Sequence, residues 1–314
     1  MRRAPDFPGR LIARRSSGAA VVASRRPAVA GLFYPADPAE CARDLDRCCS
    51  AAGSPPISGR RAVASVAPHA GWSFSGPTMA AALLPLLAAR PETVILFGAD
   101  HHGINPGRAS LFPAGRWETP LGAVEVDGEL AGALAADGTA PVDALEEAHG
   151  PEHSLEVLVP LLRARLPSAR ILPVITPPGA GAAAVGTAAV RAARRLGRSV
   201  VAVGSSDLTH YGGRYGFTPL GSGAEALRWS REENDREILD RALAFDPAGI
   251  ESSFRRRHNA CGPGAMAAVT AAARELGSDR ASLLQHTTSA EVMGEGEPEA
   301  WVGYAAVAFL SRTT

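Results

Sequence analysis

The sequence predicts an α/β domain built on a mostly parallel or mixed central sheet with helices on both faces. Three observations predict it. Apolar, strand-like runs alternate along the chain with longer helical patterns, the order that wraps helices around a sheet. Hydrophobic residues make up 46% of the 314, enough for a large core. From Pro27 onward Pro and Gly are scattered without a linker or repeat, so residues 27–314 read as a single domain.

The elements follow in order. Asp37-Pro38-Ala39-Glu40 reads as a helix start, with Asp as cap and Pro in the first turn; it carries Cys48-Cys49, to which no function is assigned. Residues 62–67 read as a buried strand and 77–90 as a helix opening on Pro77. Residues 93–99 (TVILFGA) form a second strand, 154–165 an amphipathic helix and Arg170–Ile175 a third strand. An Ala-rich helix is expected over 181–196, a strand over 199–204 and a charged surface helix over 230–244. A helix over 262–276 and strands over 281–286 and 301–310 complete the pattern.

Composition excludes several functions. The 32 basic residues are all Arg, so no Walker A lysine, Schiff-base lysine or kinase lysine exists. The 32 acidic residues balance them, which gives no electrostatic case for nucleic-acid binding. No apolar run reaches the roughly 18 residues of a membrane span. Four cysteines match no zinc-ribbon spacing and are too few for a disulfide scaffold, so a reducing cytoplasm is expected. Residues 1–26 hold seven Arg against one acid, Asp6. Arg14-Arg15 ahead of the apolar stretch 18–23 hints at an export signal, but six residues fall short of an h-region and Arg25-Arg26 close it. Residues 1–26 are read as a basic, disordered extension or the product of a misassigned start codon.

Polar residues cluster just past the carboxyl ends of apolar strands. His69 follows the first, Asp100-His101-His102 the second, and Ser205-Ser206-Asp207-Leu208-Thr209-His210 the fourth. Ligands of open α/β sheets bind in that crevice. Cys261 adds a thiol at the expected start of the 262–276 helix, where the dipole favours thiolate. Two neutral imidazoles with a thiolate or carboxylate suit iron, copper or zinc. His286, within a strand, and His258, in an Arg-rich stretch, are expected to be structural. His149-Gly150-Pro151-Glu152-His153 matches the H-x-x-E-H protease pattern, but Pro151 would begin a helix and leave His149 outside it. Glu152 and His153 are expected to point toward the site or to cap that helix. Gly179-Ala180-Gly181 resembles a dinucleotide fingerprint, yet Pro177-Pro178 intervene and no acid follows at the ribose distance.

These motifs resemble the Memo family, whose bacterial members are known as AmmeMemoRadiSam system protein B. The resemblance rests on six motifs in order: Val29–Pro35 (VAGLFYP), Ala67–Trp72 (APHAGW), Gly98–His102 (GADHH), Glu152–Glu156 (EHSLE), Ser205–His210 (SSDLTH) and Cys261-Gly262. It implies a three-layer α-β-α fold like the class III extradiol dioxygenases. It places metal ligands on His69, His101 and Cys261, with the polar pair Asp207 and His210 beside them. His210 is the expected general acid/base, and Asp207 is expected to orient His210 or to serve as an alternative ligand. His102, Glu152 and His153 are expected to support the ligands. Iron is the expected metal, with copper or zinc as alternatives. A radical SAM enzyme and an AMMECR-type protein are the implied partners, and a small aromatic or peptide molecule the substrate. True dioxygenases use two His and a carboxylate. The thiolate here keeps a competing reading open, a non-catalytic metal- or peptide-binding protein on a vestigial dioxygenase fold.

Overall fold

The computed structural model describes residues 23–53, 57, 59–179, 181–294 and 298–313. Residues 1–22 of the basic extension, and Ala180 of the glycine-rich loop, lie outside the described residues.

In chain order the elements are β1 (Ser24–Arg25), α1 (Pro38–Ala51), β2 (Arg60–Ala67), α2 (Trp72–Leu87), β3 (Thr93–Gly98), β4 (Ala109–Leu111), β5 (Arg116–Trp117), β6 (Val124–Glu125), α3 (Gly128–Ala135) and β7 (Val142–Ala144). They continue with α4 (Val159–Arg165), β8 (Arg170–Ile175), α5 (Ala182–Arg195), β9 (Val200–Ser205), β10 (His210–Gly212), α6 (Ala224–Trp229), α7 (Asp235–Leu243), α8 (Pro247–Arg257), α9 (Pro263–Glu275), β11 (Arg280–Thr288), α10 (Ser289–Met293) and β12 (Ala300–Arg312).

Among the described residues nine strands form one mixed sheet in the order β10-β12-β2-β9-β3-β8-β4-β7, with β11 also on β12. The centre, β2-β9-β3-β8, is parallel. Antiparallel pairs join β12 to β2 and β4 to β8. The central strands are nearly continuous runs of buried residues, as a sheet covered on both faces requires. Leu45, Met79, Leu83 and Leu161 cover one face from α1, α2 and α4. Leu130, Val185, Ile238, Ile250 and Met266 cover the other from α3, α5, α7, α8 and α9. The fold is therefore a three-layer α-β-α sandwich. Among the described residues no helix is long and apolar enough to cross a membrane.

Three helices depart from expectation. The helix expected from Pro77 begins at Trp72, and Pro77 lies inside it. Trp72 fixes the start: its backbone N–H donates to the Phe33 carbonyl (2.8 Å), its Nε1 donates to the Val157 carbonyl (3.0 Å), and its ring stacks on Tyr34. The helix expected over 154–165 is shorter. A 3-10 turn, Glu156–Leu158, leads into α4, and Pro151 begins no helix. Side chains draw the segment before it into a loop: the Ser154 N–H donates to Glu152 Oε1 and the Ser154 hydroxyl accepts from the Ala99 N–H. The long helix expected over 230–244 is preceded by α6 and opens on a π-helical turn, Ser230–Asn234, that runs into α7.

The domain also reaches further back than Pro27. Ser24 and Arg25 pair in parallel with Arg116 and Trp117. Arg25 is buried. Its Nε donates to the His149 carbonyl, and its Nη2 to the Glu152 carbonyl and to Glu156 Oε2, each at 2.7 Å. The guanidinium lies 4.3 Å from the Trp117 ring centroid. Glu156 also accepts from the Ala28 and Val29 N–H groups and from the Tyr34 hydroxyl, each at 2.8 Å. One buried ion pair thus ties the start of the domain to the loop that carries Glu152 and His153.

Removing one partner of a buried ion pair strands the other, at about 3–5 kcal/mol. Arg25→Met is expected to lower unfolding stability by that order, read from denaturant unfolding with the m-value unchanged. A loss below about 1 kcal/mol would show that Glu156 is satisfied without the guanidinium.

Candidate metal centre

Sheet order brings the polar strand ends together. β9 lies between β2 and β3, so the end of β9 separates His69, beyond β2, from His101, beyond β3. The imidazole rings of His69 and His101 meet edge to face with centroids 5.2 Å apart. Cys261 enters from the loop before α9. One nitrogen of each His and the Cys261 sulfur all lie within 4.8 Å of one another.

Each imidazole is held from behind. Ser205 Oγ lies 2.6 Å from the Ser154 carbonyl, which takes its proton, so the hydroxyl accepts from His69 Nδ1 at 2.9 Å. That assigns the Nδ1–H tautomer and turns the Nε2 lone pair toward Cys261 Sγ, 3.1 Å away. His101 Nδ1 lies 3.0 Å from Glu152 Oε1, while Glu152 Oε2 accepts from the His101 backbone N–H at 2.9 Å. Such backing of an imidazole by an oxygen is what orients metal-ligating histidines. The three atoms fit a small transition-metal ion: both Nδ1 positions are spoken for, His69 Nε2 meets the sulfur, and among the described residues His101 Nε2 has no hydrogen-bond partner.

The electrostatics follow from burial. Desolvation, reinforced by the charge His101 can carry, pushes His69 well below the usual imidazole range and keeps it neutral. Burial would lower His101 too, but the hydrogen bond and charge of Glu152 outweigh it and raise the ring above its ordinary value. The same contacts, against the penalty of burial, hold the Glu152 carboxyl far below the usual carboxylate range. Burial, with Asp207 nearby, pushes the Cys261 thiol well up. The expected dipole effect is therefore overridden: Cys261 lies two residues before the first residue of α9, and desolvation dominates. The Asp207 N–H still donates to the sulfur at 3.2 Å. The Gly262-Pro263-Gly264 run makes this approach possible. A Cβ on Gly262 would lie 2.5 Å from the Ser205 carbonyl oxygen, and one on Gly264 2.3 Å from that of Thr176.

The remaining expected residues divide. His153 faces the cleft, stacked on His101 with centroids 4.7 Å apart, and burial lowers it to about 4. Glu152 lies behind His101 rather than capping a helix. Exposed His102 bonds the Pro151 carbonyl at 3.2 Å, away from the ligand atoms. Asp207 lines the cleft, but its Oδ1 accepts from the His69 N–H at 2.8 Å instead of orienting His210. His210 Nδ1 is held by the Leu208 carbonyl at 3.0 Å, and its ring packs against Tyr215. His149 is sealed beside Phe112 and Trp117 with Nε2 on the Ser110 carbonyl, so the H-x-x-E-H pattern forms no zinc site. His286 bonds Asp235 and His258 caps α8, both outside the cleft. Sequence reasoning missed Ser205 as the partner of His69, Phe33 and Phe74 as apolar walls, and Arg214, Tyr215 and Tyr304 as further lining. The cleft holds about 480 Å³.

A family model described as Memo-like protein matches residues 25–308. A MEMO1 family protein of Thermococcus kodakarensis is 40% identical over 294 residues, covering 91% of this chain and 99% of that protein. MEMO1 family proteins of Methanothermobacter thermautotrophicus and Methanosarcina barkeri are 38% and 36% identical, each covering 90% of this chain and 98% of its own length.

Losing an oxygen that backs a ligating imidazole weakens metal binding about 10–100-fold. In a cobalt(II) titration followed by thiolate charge-transfer absorption, Ser205→Ala and Glu152→Gln are each expected to weaken binding in that range without abolishing it. Unchanged affinity in both would mean that the backing contacts do not orient ligands.

Proposed function

The chain belongs to the Memo family, and on that premise we propose that it is a metal-dependent protein, with iron held by His69, His101 and Cys261, acting on a small aromatic or peptide molecule in the cleft. The observation that carries this reading is the convergence of two pre-oriented imidazoles and one thiol beneath a cavity with aromatic walls. Two imidazoles and a thiolate suit iron, copper or zinc, and the soft sulfur raises the standing of copper(I). When bound, iron or copper would supply Lewis acidity and a one-electron couple.

The chain's own residues supply the rest. His210, fixed through Nδ1, keeps its other nitrogen for a proton at the substrate. Asp207 holds the backbone at His69 and so keeps that ligand in place. Phe33 and Phe74 give the cleft apolar lining. The resemblance to AmmeMemoRadiSam system protein B extends the proposal to a radical SAM enzyme and an AMMECR-type protein as functional partners, and the four free cysteines suit a reducing cytoplasm.

One observation favours a second reading. Both nearby carboxylates are spent inward, Glu152 on His101 and Asp207 on backbone N–H groups, so neither completes a two-His-one-carboxylate site. A binding protein that keeps the cleft without turnover would look the same. Oxygen consumption or change of an aromatic substrate by the loaded protein separates the two.

Elemental analysis of protein purified anaerobically, without a metal-binding tag, tests the proposal. Near-stoichiometric iron or copper is expected in wild type and should be lost in His69→Ala and in Cys261→Ala. Wild type that takes up no metal after anaerobic loading would overturn it.

A further inference from the structure

Arg214 stands at the lip of the cleft, in the 3-10 turn Gly213–Tyr215. Among the described residues no carboxylate pairs with it, and no other cleft-lining residue carries a fixed positive charge. Its guanidinium lies over the Tyr215 ring, 4.7 Å from the centroid. The same ring meets His210 edge to face at 5.1 Å. One aromatic ring therefore separates this guanidinium from the imidazole assigned to proton handling.

We propose that Arg214 anchors a carboxylate of the substrate, so that the cleft takes a small aromatic monocarboxylate. The proposal rests on the reading of this cleft as the substrate site. A guanidinium presents a planar fork of donors that matches a carboxylate, and stacking on Tyr215 limits its orientations. Among the described residues no competing ion pair has to break first. About 480 Å³ accommodates one aromatic ring with a short side chain. Phe33 and Phe74 provide the apolar wall for that ring. A single fixed cation matches a monoanion. Asp207 lines the same cavity and repels any anion there, a phosphate dianion more strongly than a monocarboxylate.

Calorimetric titration of the full-length, metal-free protein tests this with three probes: 4-hydroxybenzoate, its neutral amide 4-hydroxybenzamide, and inorganic phosphate. Wild type is expected to bind the carboxylate about tenfold more tightly than the amide, the order a charge-assisted hydrogen bond supplies. Arg214→Gln should erase that preference and leave amide binding within about twofold, Arg214→Lys should keep part of it, and phosphate should not displace the carboxylate. Absence of carboxylate binding, a preference that survives Arg214→Gln, or displacement by equimolar phosphate would each overturn the assignment. The titration is run without metal, so it stands or falls separately from the metal content of the centre. Unchanged metal content in Arg214→Gln would confine the residue to the ligand.

Discussion

A single buried hydroxyl, Ser205 Oγ, holds the candidate centre together. It sits at the end of β9, donates to the Ser154 carbonyl and accepts from His69 Nδ1. Three chain segments that are distant in sequence are joined through one oxygen. Because the hydroxyl has one proton, its donation to Ser154 decides the tautomer of His69, and the tautomer decides which nitrogen faces Cys261. The sheet makes this possible: parallel pairing of β2 and β3 on either side of β9 leaves the three carboxyl ends level.

The 149–156 loop is the second constraint. It delivers Glu152 to His101, Ser154 to both Ser205 and Ala99, and His153 to the cleft. Nothing helical or strand-like holds residues 150–155 in place. Arg25 does so, taking the carbonyls of His149 and Glu152 and the carboxylate of Glu156, while Glu156 ties down Ala28, Val29 and Tyr34. The same ties seat the segment that carries Leu32 and Phe33 over the cleft.

The sheet and the meeting of His69, His101 and Cys261 were legible because their signals are local. Buried parallel strands read as apolar runs, and polar residues just past them mark the crevice. His69, His101 and Cys261 converge as those signals imply. What was hidden depends on long-range partners. Arg25 reads as one more arginine of a basic run, because nothing near it reveals a carboxylate 131 residues away. Pro77 reads as a helix start, because the contacts that begin α2 at Trp72 come from Phe33, Tyr34 and Val157. Arg214 follows two glycines in a turn whose sequence gives no sign that it borders the cleft.

The placement of charge gives the cleft its character. Glu152 and Asp207 are buried and point inward, each accepting from backbone N–H groups that would otherwise be unpaired. Their charge is therefore committed to fixing geometry. Among the described residues the open side presents imidazoles, aromatic rings and the Arg214 guanidinium, with Asp207 beside them. With both carboxylates engaged by the scaffold, Cys261 is the group beside the two imidazoles that could bind as an anion. Burial pushes that thiol up, so a metal bound through the sulfur would have to displace a proton. The glycines at 262 and 264 then acquire a clear role. They let the chain press against the Ser205 and Thr176 carbonyls so that the sulfur, rather than a longer carboxylate side chain, reaches the two imidazoles.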